Sequence, residues 1–281
     1  MRPAKGRELL SVFRKPSVAG LFYPSDPKKL SELINGFLRL ADPPDIANNI
    51  CGIVAPHAGY IYSGATAAYA YNLIKNEGYK TVIIVSPSHT EYFPGISIYS
   101  GDGYTTPLGN IPVDKLLIDK LVSDSNHIIK GDIGHKTEHA IEVQLPFLQT
   151  VLSDFRIVPV VMGDQSPIYI NELAERVASV YNDDILLIAS SDLSHYYNRK
   201  KANTLDSIIE RRISEYDFNS LMSDLDSKKC EACGGGPIVA IMKALYNNGI
   251  RMASVLKRTD SGEVSGDLNQ VVGYLSAVLY N

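Results

Sequence analysis

Four short apolar runs punctuate the chain: Ile50 to Ala55, Thr81 to Val85, Arg156 to Met162 and Ile185 to Ala189. Runs of this length with little alternation suit strands buried on both faces. Helical patterns lie between them. Leu30, Ile34 and Leu38 recur every fourth residue within Lys28 to Leu40. Ser63 to Lys75 is alanine-rich, with Ser63 as its expected cap. Lys115 to Val122, Glu138 to Leu148, Ile170 to Val180, Lys201 to Glu215 and Pro237 to Tyr246 also read as helices. Pro146 predicts a kink in the second of these. Val18 to Tyr23 reads as a short strand. Gly95 to Pro112 reads as a strand and a hairpin-like excursion, and Ala253 to Lys257 and Val271 to Leu279 as terminal strands. Strands alternating with helices predict an α/β fold, a central and largely parallel sheet flanked by helices. Composition shifts nowhere within the body of the chain, which predicts an N-terminal arm over 1–16 and a single α/β domain over 17–281.

Composition narrows the function classes. At 281 residues, with 45% hydrophobic and 21% charged residues, the chain can bury a large core. A net charge of -4 leaves no basic footprint for nucleic acid. Arg199-Lys200-Lys201 and Arg211-Arg212 read as solvated helix faces. No apolar run approaches the roughly 18 residues that span a bilayer, and the first residues are too polar for a signal segment. Three cysteines make no disulfide framework. The expectation is a cytoplasmic protein with neither membrane nor nucleic-acid partner.

The chemistry-bearing residues gather after the predicted strands. Of 6 histidines, His57, His89 and His195 lie just past apolar runs, and open α/β sheets bind ligands outside the carboxyl ends of their strands. Ala55-Pro56-His57-Ala58-Gly59 and Ser86-Pro87-Ser88-His89 each place an imidazole on a stiff, proline-containing turn. Two such turns after neighbouring strands can bring both rings to one metal ion.

Cys233 precedes Gly234-Gly235-Gly236 and Pro237, which reads as the first residue of a helix. The helix dipole favours its thiolate, as a nucleophile or a metal ligand, and the glycines allow a ligand close to the backbone. Cys230 and Cys233 form a C-x-x-C with no second copy, which excludes a four-cysteine zinc site. Cys51, inside an apolar run, reads as buried and inert.

Asp192 is placed to orient or charge-balance an imidazole, and His195 to act as a general base. Ser190 and Ser191 lack the G-x-S-x-G elbow of a serine hydrolase. In Glu138-His139-Ala140-Ile141-Glu142, His139 and Glu142 share one face of the predicted helix. That leaves open an acid–base role for His139 or a capped helix start. His127 and His135, in a polar connection, carry no functional assignment.

Together these segments resemble the MEMO family, also called AmmeMemoRadiSam system protein B. The matching stretches are Arg14 to Pro24, Ala55 to Tyr60, Pro87-Ser88-His89, Glu138 to Phe147, Ser190 to His195 and Cys233 to Ile238. The likeness implies a fold similar to class III extradiol ring-cleavage dioxygenases, which use non-haem iron(II). It implies that His57, His89 and Cys233 fall at metal-ligand positions, with Asp192 and His195 beside them. A thiolate in place of the usual carboxylate softens such a site towards copper(I), zinc or thiolate-ligated iron.

Three functions follow as expectations. The first is a metal-dependent redox enzyme, with iron(II) first and copper second, acting on a small molecule and O2. The second is a non-catalytic binding module for a peptide, phosphopeptide or small anion on the same fold, lined by Tyr60, Tyr62, Tyr196 and Tyr197. The third is a zinc-dependent hydrolase.

Overall fold

Strands buried on both faces must pair with one another, and those of this chain do so in the middle of the molecule. The computed structural model describes residues 11–46 and 49–281. Its elements, in chain order, begin with β1 (Phe13–Arg14), α1 (Pro27–Leu40), β2 (Ile50–Ala55), α2 (Tyr60–Leu73), β3 (Thr81–Pro87) and β4 (Ile96–Tyr99). A hairpin of β5 (Gly103–Thr106) and β6 (Gly109–Pro112) leads to α3 (Lys115–Val122) and β7 (Ile128–Gly131). A single 3-10 turn, Glu142–Gln144, runs into α4 (Leu145–Val151), then β8 (Arg156–Met162), α5 (Pro167–Val180), β9 (Ile185–Ser190) and β10 (His195–Tyr197). The chain continues through α6 (Arg199–Ser214), α7 (Phe218–Asp226), α8 (Gly235–Asn247), β11 (Met252–Asp260), α9 (Gly262–Ser265) and β12 (Val271–Tyr280).

Among the described residues, nine strands form one mixed sheet in the order β10-β12-β2-β9-β3-β8-β4-β7, with β11 paired to β12. Its centre, β2-β9-β3-β8, is parallel. β12 and β4 run antiparallel to the strands they flank, β10 and β11 antiparallel to β12, and the edge strand β7 parallel to β4, so the sheet is parallel at its centre and mixed as a whole. β9 lies between β2 and β3. His57 and His89 therefore leave strands that are one strand apart, not adjacent. The register keeps the three ends level: Ala55 pairs with Ser190, and Val85 with Ala189. The loop after β9 consequently emerges between the two histidine turns. No described helix is long and apolar enough to cross a membrane.

Local differences from the sequence reading have physical causes. α2 starts at Tyr60 with Gly59 at its cap, and Ser63 instead bonds the Ala58 carbonyl from inside the helix. Val18 to Tyr23 is a turn through Gly20 at φ 84°. No helix forms over Glu138 to Ile141, because Glu138 turns its carboxylate back onto the N–H groups of His139 and Ala140. α4 begins at Leu145, so Pro146 sits in the first turn, where its missing N–H breaks no helical bond. Of the expected arm, residues 1–10 lie outside the described residues, while β1 pairs with β5.

That pairing delivers Arg14 into the interior. Its guanidinium meets Glu142 at 2.7 Å and donates to the carbonyls of His135 and Glu138 at 2.5 and 2.6 Å. Glu142 also accepts from the Ser17 and Val18 N–H groups and the Tyr23 hydroxyl. Glu142 thus faces Arg14 and does not share a working face with His139. The pair clamps residues 14–23 onto the segment that carries Glu138 and His139. Removing one partner strands a buried charge, which costs about 3–5 kcal/mol. Glu142→Gln and Arg14→Met should each lower urea-unfolding stability by about that amount, and Arg14→Met/Glu142→Leu by less than the sum. Additive losses would show that the two charges do not act as a pair.

His135 lies fully buried beside this clamp. Its Nδ1 accepts from the Tyr104 hydroxyl at 2.8 Å, and its Nε2–H donates to the Ser97 carbonyl at 3.2 Å. Burial depresses its pKa to about 4, against the pull of the Ser97 carbonyl. In the unfolded chain it protonates near 6.5. Its contribution is therefore complete above about pH 6.5 and is lost as pH falls towards 4, a window worth about 3 kcal/mol. Unfolding free energy of the native chain should drop through that window more steeply than that of His135→Gln; parallel profiles would refute the assignment.

Candidate metal centre

Three level strand ends and the start of α8 converge on one spot. His57 follows β2, His89 follows β3, and Cys233 stands two residues before α8. One donor atom from each of these three residues lies within 4.8 Å of the others. The Cys233 Sγ is 3.2 Å from His57 Nε2. The His57 and His89 rings stand edge to face, 5.1 Å apart.

The neighbours of each ring fix its tautomer. Ser190 Oγ donates its one proton to the Ala140 carbonyl at 2.7 Å and accepts from Gln144 Nε2 at 2.7 Å. Its contact with His57 Nδ1 at 2.9 Å must then be a bond that His57 donates. The proton sits on Nδ1, and the Nε2 lone pair faces Cys233. His89 reaches the same state by another route. Its Nδ1 lies 2.9 Å from Glu138 Oε1, and its backbone N–H donates to Oε2 at 2.6 Å. A carboxylate only accepts, so Nδ1 carries a proton and Nε2 is the nitrogen turned away from Glu138. Burial first, then the neighbouring imidazoles His89, His139 and His195, hold the His57 pKa well below its usual value. Hydrogen bonds from His89 and the backbone outweigh burial and keep Glu138 low enough to stay a carboxylate.

Cys233 differs from the expectation of a dipole-favoured thiolate. Burial and the nearby Asp192 push its thiol pKa up, despite N–H groups of Asp192 and Gly234 directed at it. The Asp192 N–H reaches Sγ at 3.2 Å. The glycines after it also serve protein packing. A Cβ on Gly234 would meet the Ser190 carbonyl at 2.3 Å, and one on Gly236 the Gln165 side chain at 2.8 Å. Gln165 in turn holds the turn by bonding the Cys233 carbonyl and the Gly236 N–H, both at 2.7 Å. Pro237 is the third residue of α8, not its first.

Asp192 is buried and spends its carboxylate on the backbone of the His57 turn. It accepts from the N–H groups of His57, at 2.8 Å, and Ala58. Burial still raises its pKa to about 7. It fixes the turn that carries His57 and forms no hydrogen bond with His195. His195 is held instead by the Leu193 carbonyl, and burial lowers its pKa. His139 joins the centre more closely than its spacing implied: its ring is 5.4 Å from that of His57 and 4.7 Å from that of His89, with Phe22 edge-on at 4.9 Å. Burial lowers its pKa too, opposed by Glu138. His127 pairs with Glu172 and His135 with Tyr104, both away from the cluster. Cys51 and Cys230 are buried free thiols. The supporting roles of Ser190 and Gln144 were invisible in the sequence, since their partners lie 46 and 133 residues away; Glu138 stood out beside His139, but not as the partner of His89, 49 residues away.

Known proteins are similar to this sequence over nearly its whole length. Residues 14–278 match the model of the Memo-like protein family. A MEMO1 family protein of Thermoplasma acidophilum is 38% identical, covering 94% of this chain and 98% of its own. Those of Methanobrevibacter smithii and Thermotoga neapolitana are each 38% identical, over 95% of this chain and 99% and 100% of theirs. With the match running from the buried Arg14 to the last strand, the chain belongs to the Memo family.

Proposed function

We propose that His57, His89 and Cys233 hold one redox-active metal, iron(II) before copper, in an enzyme that acts on a small molecule together with O2. One observation carries this reading: two unrelated hydrogen-bond systems hold a proton on Nδ1 of both histidines, so that Nε2 is the nitrogen each ring can offer to a metal, and a thiol adjoins one of them. Neutral imidazole nitrogens and a sulfur form a donor set for borderline and soft metals. Coordination deprotonates a thiol outright, which overcomes the burial that keeps Cys233 protonated without a cation.

Such a metal supplies electron exchange at coordination positions that the protein leaves open. The chain supplies the rest. Glu138 and Ser190 set ring orientation, as carboxylate and hydroxyl partners of metal-bound histidines do. His139 keeps a proton on the Nδ1 that faces Glu138, 3.4 Å away, and exchanges one at Nε2. His195, which lines the cleft together with Cys233, exchanges a proton at a ring nitrogen. Both rings are neutral near pH 7 and so act first as bases.

The binding-module reading is weaker on a specific ground. A phosphate anchor wants a free arginine, and Arg199 is committed to Asp260 through Nε and Nη2, both at 2.7 Å. Tyr60 is buried, with its hydroxyl on the Val143 carbonyl. The zinc-hydrolase reading shares the donor set and differs in the metal retained.

Protein purified without oxygen should carry near-stoichiometric iron or copper by elemental mass spectrometry. Cys233→Ser and His57→Ala should lose it, and Glu138→Gln should weaken affinity about 10–100-fold. His195→Ala should keep the metal. Retained metal in His57→Ala would refute the site, and zinc alone would shift the reading to hydrolysis.

A further inference from the structure

A cleft of about 630 Å³ opens beside Cys233, within the size range of small-molecule sites. It lies between the start of α5, the end of α7 and the segment leading to α8. Ile170, Leu193, Met222 and Leu225 give it apolar walls, and His195 and Cys233 line the same space. The cleft therefore combines an apolar patch with polar side chains and shares Cys233 with the candidate metal centre.

Its charges are unevenly placed. Asp226 and Lys228 are both exposed at the mouth, where they balance. Glu231, half-buried and two residues from Cys233, also lines the cleft. The Tyr197 hydroxyl donates to Glu231 Oε1 at 2.7 Å, which holds the carboxylate in place. Oε2 accepts no hydrogen bond among the described residues. Among the described residues no arginine lines the cleft, and Lys228 is its one lysine. With Asp226 set against Lys228, the lining keeps one further carboxylate, that of Glu231, with an oxygen free to accept, in the same cleft as the apolar side chains. A ligand anion buried there would face that carboxylate with no compensating cation. A ligand ammonium would be paired.

We propose that the substrate bound in this cleft is a small amine with an apolar or aromatic body, and that Glu231 is the residue that selects it by pairing with its ammonium group. The proposal rests on the metal-centre reading for the reaction but not for the binding step. Ligand binding alone is therefore the right readout, and it needs no metal.

Matched probes separate the charge from the shape. Tyramine and 4-hydroxyphenylacetate share a phenol ring and a two-carbon arm, one ending in an ammonium and the other in a carboxylate. Each is titrated into metal-free protein and followed by amide NMR shifts. Saturable tyramine shifts centred on Leu193, Leu225 and Glu231, at least tenfold tighter than those of the acid, are expected. Glu231→Gln should remove that preference, because its amide oxygen still accepts from Tyr197 while the charge is gone. Leu225→Ala should weaken both probes alike. Equal or tighter binding of the acid, tyramine binding indifferent to Glu231→Gln, or no saturable binding of either probe would each overturn the proposal. Because the protein carries no metal in these titrations, a failure of the metal reading cannot produce any of these results.

Discussion

The Ser190 hydroxyl has a single proton, and where that proton goes decides what His57 can do. The Ala140 carbonyl takes it. Gln144 supplies a second bond to the same oxygen. What remains is a lone pair that accepts from His57 Nδ1, and the opposite ring nitrogen is left bare beside Cys233. Ser190 ends β9, the strand inserted between the two that carry His57 and His89. The topology thus does more than bring ligands to a rim. It places the group that sets one tautomer at the centre of the site, while Asp192, two residues further on, pins the backbone of the same histidine turn.

The second tautomer depends on a more distant constraint. Glu138 can orient His89 only if its own segment stays non-helical and docked. Arg14 secures this by binding the Glu138 carbonyl and the Glu142 carboxylate at once. A buried ion pair is weak evidence of net stability. Here its effect is positional: it sews the first described strand to the segment that carries Glu138 and His139.

Much of this was legible in the residues. The unbroken apolar runs located β2, β3, β8 and β9 to within a residue or two, because burial on both faces leaves few other sequences. The histidines after two of those runs, and the cysteine before a glycine-rich helix start, identified the cluster. Legibility ended where meaning came from non-local partners. Nothing near Glu138 shows that its carboxylate will fold back on His139 and Ala140 and defeat a helix. Strand order, and with it the position of Ser190, is not encoded in periodicity. The short strands β7 and β10 carry too few residues for a clear pattern. For Cys233 the N–H groups directed at the sulfur are opposed by desolvation and by the nearby Asp192, a balance that the spacing of a cysteine before a helix does not reveal.

The account turns on ring protonation, which nitrogen NMR reads directly. Long-range proton–nitrogen correlation spectra of metal-free, ring-labelled protein, recorded at pH 8, should show His57 and His89 both as single Nδ1–H tautomers. Ser190→Ala should release only His57, and Glu138→Gln only His89. An Nε2–H tautomer in either native ring would mean that the nitrogens facing Cys233 are blocked by protons, and the case for a preorganised His57–His89–Cys233 centre would fall.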